Sequence, residues 1–113
     1  MLHIVLHFAV PAVIAVCIAR DRWLNVWLIL TATMFVDVDH LLANPVYDPE
    51  RCSIGFHPLH TVPAMATYVV LFASPLALRR IDALRDSLVV RAFGLIGLGL
   101  LVHMLLDGLD CVT

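Results

Sequence analysis

VDVDHLLANP, residues 36–45, closes an apolar run that begins at Trp23. Asp37, Asp39 and His40 thus stand at the end of a segment otherwise suited to hydrocarbon. Carboxylate and imidazole groups are costly to bury unpaired in such surroundings. Their placement asks for a partner elsewhere in the chain, and for a fold that brings the partner close.

The chain has 113 residues, of which 62% are hydrophobic and 14% charged, with a mean hydropathy of +0.97. Soluble domains are nearer half apolar and about a quarter charged. A single small domain, spanning 1–113, is the expectation from length. A soluble domain of that size has too much surface for its volume to hide this much apolar material, so the bilayer is the natural place for the excess. The seven basic residues are all arginines and form no dense stripe. A nucleic-acid partner is therefore not expected, and membrane lipids are.

Four apolar segments follow one another: residues 4–19, 23–38, 62–78 and 92–106, the last extending in pattern through Leu109. They predict an all-α protein, a four-helix transmembrane bundle with helices at about 2–20, 22–40, 59–79 and 89–110. A long loop separates helices 2 and 3. The cores are short against the roughly 17–25 residues of a spanning helix, and polar flanks or a thinned bilayer would make up the difference. No segment shows the polar face of a soluble bundle helix, and none alternates as a barrel strand does. The N-terminal segment lacks a basic leader, since Arg20 and Arg22 follow it, and reads as a retained membrane helix. Pro11 and Pro75 inside their segments suggest kinks, and Gly94, Gly97 and Gly99 suit close helix packing.

Six of the seven arginines fall in the first and third connections, residues 20–22 and 79–91, the latter resembling a short amphipathic surface helix. The positive-inside rule makes that side cytoplasmic. The protein is then expected in a bacterial inner membrane as a multi-pass chain. Both termini and the second connection face outward, toward the periplasm. Cys52 and Cys111 share that side. They fit a disulfide, two free thiols, or a soft metal ligand, while Cys17 reads as a small hydrophobe.

Asp21, Asp48, Glu50, Asp82 and Asp86 lie in connections and read as surface charge. The rest of the acids and the histidines fall at particular helix ends. His3 and His7 are i,i+4 at the start of helix 1. Asp37 and His40 are i,i+3 at the end of helix 2, with Asp39 on another face unless the helix unwinds there. His57 and His60 precede helix 3. His103, Asp107 and Asp110 form one stripe on helix 4. An up-down bundle puts all these ends at one level. A divalent ion would relieve both the desolvation and the mutual repulsion of the carboxylates. His7, Asp37, Asp39, His40, His57, His60, His103, Asp107 and Asp110 are the candidate metal ligands, enough for one or two ions. His3 reads as an interfacial residue. Helix capping, pairing with Arg51, and a metal-free His–Asp hydrogen-bond network are the structural alternatives.

LHFAVP (6–11), DVDHLL (37–42), RCSIGFHPLHT (51–61) and HMLLDGLDC (103–111) resemble a small bacterial family of integral membrane proteins, the domain of unknown function 6122. The resemblance covers nearly the whole chain. More distantly, the chain is similar to the predicted membrane-bound metal-dependent hydrolases. Their early His, DxDH-type, His-Arg…Thr-His-type and late HxxxD-type elements match His7, then Asp37, Asp39 and His40, then His57 and His60-Thr61, then His103 and Asp107. Pro58 stands where that wider group often has Arg.

Two functions are therefore expected in competition. One is a metal-dependent hydrolase acting on a lipid-like or phosphoester substrate at the membrane interface, with Asp39 or Asp107 bridging ions or acting as base. The other is a non-catalytic metal-binding membrane protein with a structural, sensory or transport role. Zinc is favoured by the imidazoles, with manganese or iron as alternatives. A homo-oligomer is compatible with so small a bundle. GLIGLGL, residues 94–100, lacks the strand–turn–helix setting of a phosphate-binding loop.

Overall fold

The computed structural model describes residues 2–112, so the end positions Met1 and Thr113 of the expected domain lie outside the described residues. Within them the chain is all-helical and contains no strand. α1 spans Leu2–Ile18, α2 Trp23–Ala32, α3 Val62–Leu78, α4 Asp82–Arg85 and α5 Leu88–Val112. Three 3₁₀ segments, Arg20–Arg22, Thr33–Leu42 and Pro58–His60, complete the order. Two helical stretches, Arg20–Leu42 and Leu88–Val112, are long and apolar enough to cross a membrane. α1 and α3 are apolar but shorter.

α5 is the axis of the molecule. α3 packs along it, and α1 and α2 pack on each other and on α5. The buried residues of α1 are His7, Pro11 and Ala15, a single i,i+4 line, as expected for one inward face. α3 comes so close to α5 that a Cβ on Gly97 would overlap the backbone of Leu71 and Phe72. The packing role expected of this glycine is thus met by direct backbone contact. The Trp27 indole donates to the Phe8 carbonyl at 3.0 Å and ties α2 to α1.

Helix 2 departs from the expected single α-helix. The α-helix stops at Ala32, and residues 33–42 wind as 3₁₀. Thr33 turns its hydroxyl back to the Leu30 carbonyl at 2.6 Å, in competition with the backbone ladder. A 3₁₀ helix has three residues per turn, so i and i+3 eclipse. Thr33, Val36 and Asp39 become the buried line, and Asp37 and His40 lie along the next. The predicted surface helix over 79–91 shrinks to the single turn of α4, because α5 already begins at Leu88.

The apolar core is modest. Ala15, Val26 and Leu30 form one cluster, and Val36, Tyr68 and Met104 another. Large apolar side chains line the outside instead: Phe35, Val70 and Leu105 are 82%, 67% and 62% exposed. The interior at one end is polar. His7, Asp39, His57, His60, His103 and Asp107 are all buried there.

Candidate metal centre

Four chain segments deliver these side chains. The start of α1 brings His3 and His7, and the 3₁₀ segment after α2 brings Asp37, Asp39 and His40. The turn before α3 brings His57 and His60, and the end of α5 brings His103, Asp107 and Asp110. The turn is held by Tyr68, whose hydroxyl donates to the Leu59 carbonyl at 2.8 Å, and by Gly55, whose N–H donates to the His60 carbonyl at 2.9 Å. Gly55 has φ +82°, a conformation that favours glycine.

One group of donors is Asp37, His60, His103 and Asp107, each offering one atom within 4.8 Å of all the others. His60 Nε2 lies 3.4 Å from Asp37 Oδ1 and 3.1 Å from Asp107 Oδ2. His103 Nε2 lies 3.0 Å from Asp37 Oδ1 and 3.3 Å from Asp107 Oδ2. Ligands held at the usual ~2.0–2.1 Å from a tetrahedral zinc are about 3.3–3.4 Å apart. The observed spacings are close to those edges.

A second group is His3, His7 and Asp107. His3 Nε2 and His7 Nε2 each lie 3.2 Å from Asp107 Oδ1. His7 Nδ1 donates to the His3 carbonyl at 2.9 Å, which leaves the Nε2 lone pair facing the carboxylate. Asp107 therefore turns one oxygen to His60 and His103 and the other to His3 and His7.

Most of these close approaches are not hydrogen bonds. His7 Nε2, His60 Nε2 and Asp107 Oδ2 are buried and make none, despite their short distances. Buried polar atoms without partners are rare and need a reason. His103 Nε2 and Asp37 Oδ1 are hydrogen-bonded at 3.0 Å; the remaining donor atoms converge on a shared centre without bonding one another, which fits a cation among them.

Asp39 is differently employed. Its Oδ2 accepts from the Leu59 backbone N–H at 2.7 Å and from His60 Nδ1 at 3.2 Å. Its Oδ1 accepts from His40 Nδ1 at 3.1 Å. The 3₁₀ segment thus sends Asp37 and Asp39 to opposite nitrogens of one imidazole. Burial alone would lower the His60 pKa, but Asp107, Asp37 and Asp39 around it push it up to about 10. Asp39, His40 and His57 form a third close group. There His57 stacks on His40 with ring centroids 3.8 Å apart, and burial followed by the neighbouring His40 lowers the His57 pKa. The Ser53 hydroxyl lies 3.1 Å from His40 Nε2.

Asp110 sits at the rim, largely exposed, with Oδ1 3.7 Å from His3 Nδ1. Beside it opens a cavity of about 270 Å³, lined by His3, Asp107 and Asp110 on one side and by Glu50, Arg51 and Ser53 on the other. Cys52 and Cys111 are joined by a disulfide that forms part of the same wall. Of the alternatives open for these cysteines, the structure holds the disulfide.

His3 was not expected in the cluster. Its signal was the i,i+4 spacing to His7, which a helix converts into a shared face. Ser53 carried no sequence signal, since only the loop path brings it to His40.

The chain belongs to the family of unknown function DUF6122, whose model matches residues 1–113. No curated protein and no solved structure matches it.

Proposed function

We propose that this chain is a multi-pass membrane protein that holds two divalent ions at its outer face and uses them for hydrolysis of a lipid-like or phosphoester substrate. The observation that carries this reading is the position of Asp107, with a histidine pair at each oxygen. Asp37, His60, His103 and Asp107 supply four donors, the number a closed tetrahedral site takes. His3, His7 and Asp107 supply three, as in sites that keep a position open, and this side adjoins the cavity. The ions, zinc by preference, would contribute Lewis acidity and ionise water near neutral pH. Asp107 would contribute a ligand to both donor groups. Asp39, with both oxygens engaged, orients His60 and His40. Asp110, at the rim, is the carboxylate placed to receive a proton from a reacting group in the cavity.

The membrane reading rests on the apolar exterior and polar interior, the reverse of a soluble bundle. The molecule is 48 Å long, against roughly 40–45 Å for a bilayer with its headgroups. α1, helix 2, α3 and α5 serve as four spans. The arginine-rich connections lie at the cytoplasmic end, and the metal centre faces the periplasm. The disulfide fits that oxidising side.

A second reading has its own support. Asp37, His60, His103 and Asp107 would fill the four positions of a tetrahedral ion, as in structural sites, and this favours a non-catalytic metal carrier or sensor. Metal analysis of untagged protein, with Asp107→Asn and Asp37→Asn beside it, comes first. Two ions per chain in wild type, falling in both variants, support the centre, and turnover in a lipid-phosphate screen separates the two readings. If reconstituted wild type retains no ion, the proposal fails.

A further inference from the structure

Arg51 is the only one of the seven arginines outside the first and third connections. It is brought to the opposite end of the molecule, into the wall of the cavity that adjoins His3 and Asp107. Its neighbour in sequence, Cys52, is bonded to Cys111, one helical turn beyond Asp107. The disulfide therefore locks the loop segment carrying Arg51 against the end of α5.

The guanidinium is held but not used up. It lies over the Phe56 ring, 4.6 Å from its centroid, and Nη1 donates to the Pro45 carbonyl at 2.8 Å. The closest approach to Asp48 is 3.9 Å, too long for a hydrogen bond. A guanidinium has five N–H donors in a fork that matches the oxygens of a phosphoryl group. The side chain is largely buried, so its position is set before any ligand arrives.

Charge balance points the same way. Two divalent ions would balance the four carboxylates Asp37, Asp107, Glu50 and Asp110, and Arg51 then leaves the loaded cavity positive, which attracts a phosphoryl anion. Without the ions, Glu50, Asp107 and Asp110 make the cavity acidic and would repel the same ligand.

We infer that Arg51 is the phosphoryl-binding residue of this cavity, acting together with the ions of the proposed centre, on which this inference rests. The Cys52–Cys111 bond holds it in place. The ligand is a phosphoryl group, carried on a lipid headgroup or on a soluble phosphoester.

The test is titration of zinc-loaded protein with inorganic phosphate, with metal content measured on the same samples. Wild type is expected to bind phosphate only when zinc is present. Arg51→Gln should weaken binding at least about tenfold, the scale of a lost charge-assisted hydrogen bond, with zinc content unchanged. Arg51→Lys should recover part of the loss. Glu50→Gln, on the same wall, should strengthen binding, a response of opposite sign that general loosening of the loop would not produce. Full zinc with unchanged phosphate affinity in Arg51→Gln overturns the inference alone. Absence of zinc in wild type overturns the metal centre and this inference together. In phosphatidylcholine nanodiscs, displacement of phosphate by added phosphatidic acid assigns the ligand to lipid. Phosphate that persists assigns it to a soluble ester.

Discussion

Asp39 grips the turn that carries His60. One carboxylate oxygen takes both the Leu59 backbone N–H at 2.7 Å and His60 Nδ1 at 3.2 Å. The opposite nitrogen, Nε2, is left facing Asp37 and Asp107. A carboxylate behind an imidazole fixes its ring orientation and raises its basicity toward a metal.

Asp39→Asn keeps the shape but weakens that hold. Zinc affinity, measured by chelator competition, should fall roughly 10–100-fold, with the ion count per chain restored at high zinc. Permanent loss of one ion would make Asp39 a ligand in its own right.

The proton on His60 gives metal binding a direction with pH. Its folded value of about 10 lies above the ordinary 6.5. In the metal-free protein this proton contributes stability that is complete below 6.5 and is lost as pH rises through about 10. Zinc needs the unprotonated nitrogen. Metal-free protein should therefore lose thermal stability from pH 6.5 to 10 while zinc affinity rises over the same range. Melting curves with and without zinc should diverge as pH increases. Parallel curves would show that His60 does not exchange its proton for an ion.

Gly97 and Gly108 separate packing from propensity within one helix. A side chain at Gly97 meets the backbone of α3, whereas nothing lies within 4 Å of a Cβ at Gly108. Gly97→Ala should cost at least about 1–3 kcal/mol by overpacking. Gly108→Ala should be neutral or stabilising by up to about 1 kcal/mol, the helix-propensity gain. Thermal unfolding in detergent compares them, and equal effects would remove the close α3–α5 approach.

The disulfide closes a loop between residues 59 apart in sequence. The chain-entropy account gives such a crosslink about 4 kcal/mol. Cys52→Ser should lower the melting temperature clearly and loosen the loop without removing any proposed metal ligand. Zinc content should therefore persist at temperatures where the variant is folded. Coincident loss of zinc and crosslink would place the cysteines inside the centre.

Topology is checked with thiol labelling in a Cys17→Ser background, where Cys52 and Cys111 remain paired. Asp48→Cys should react with a membrane-impermeant maleimide in intact spheroplasts. Asp86→Cys should react only after lysis. Reversed labelling would turn the centre toward the cytoplasm.

Composition and periodicity were enough to determine the helical class, the four apolar segments and the stripe His103–Asp107–Asp110, because helix geometry maps short spacings onto faces without reference to anything distant. The pairing of His3 with His7 was legible on the same ground, although its role was not. Other features were decided only in three dimensions. Helix 2 changes its winding at Thr33 through a hydroxyl back-bond and the close approach of α5 at Gly99, and that change sends Asp37 and Asp39 to opposite sides of His60. The division of Asp107 between two histidine pairs, the placement of Arg51 in the cavity wall and the choice of disulfide for Cys52 and Cys111 join residues far apart in sequence. Such contacts depend on how the elements pack and on the path of the 43–57 loop. Local propensity carries no record of either.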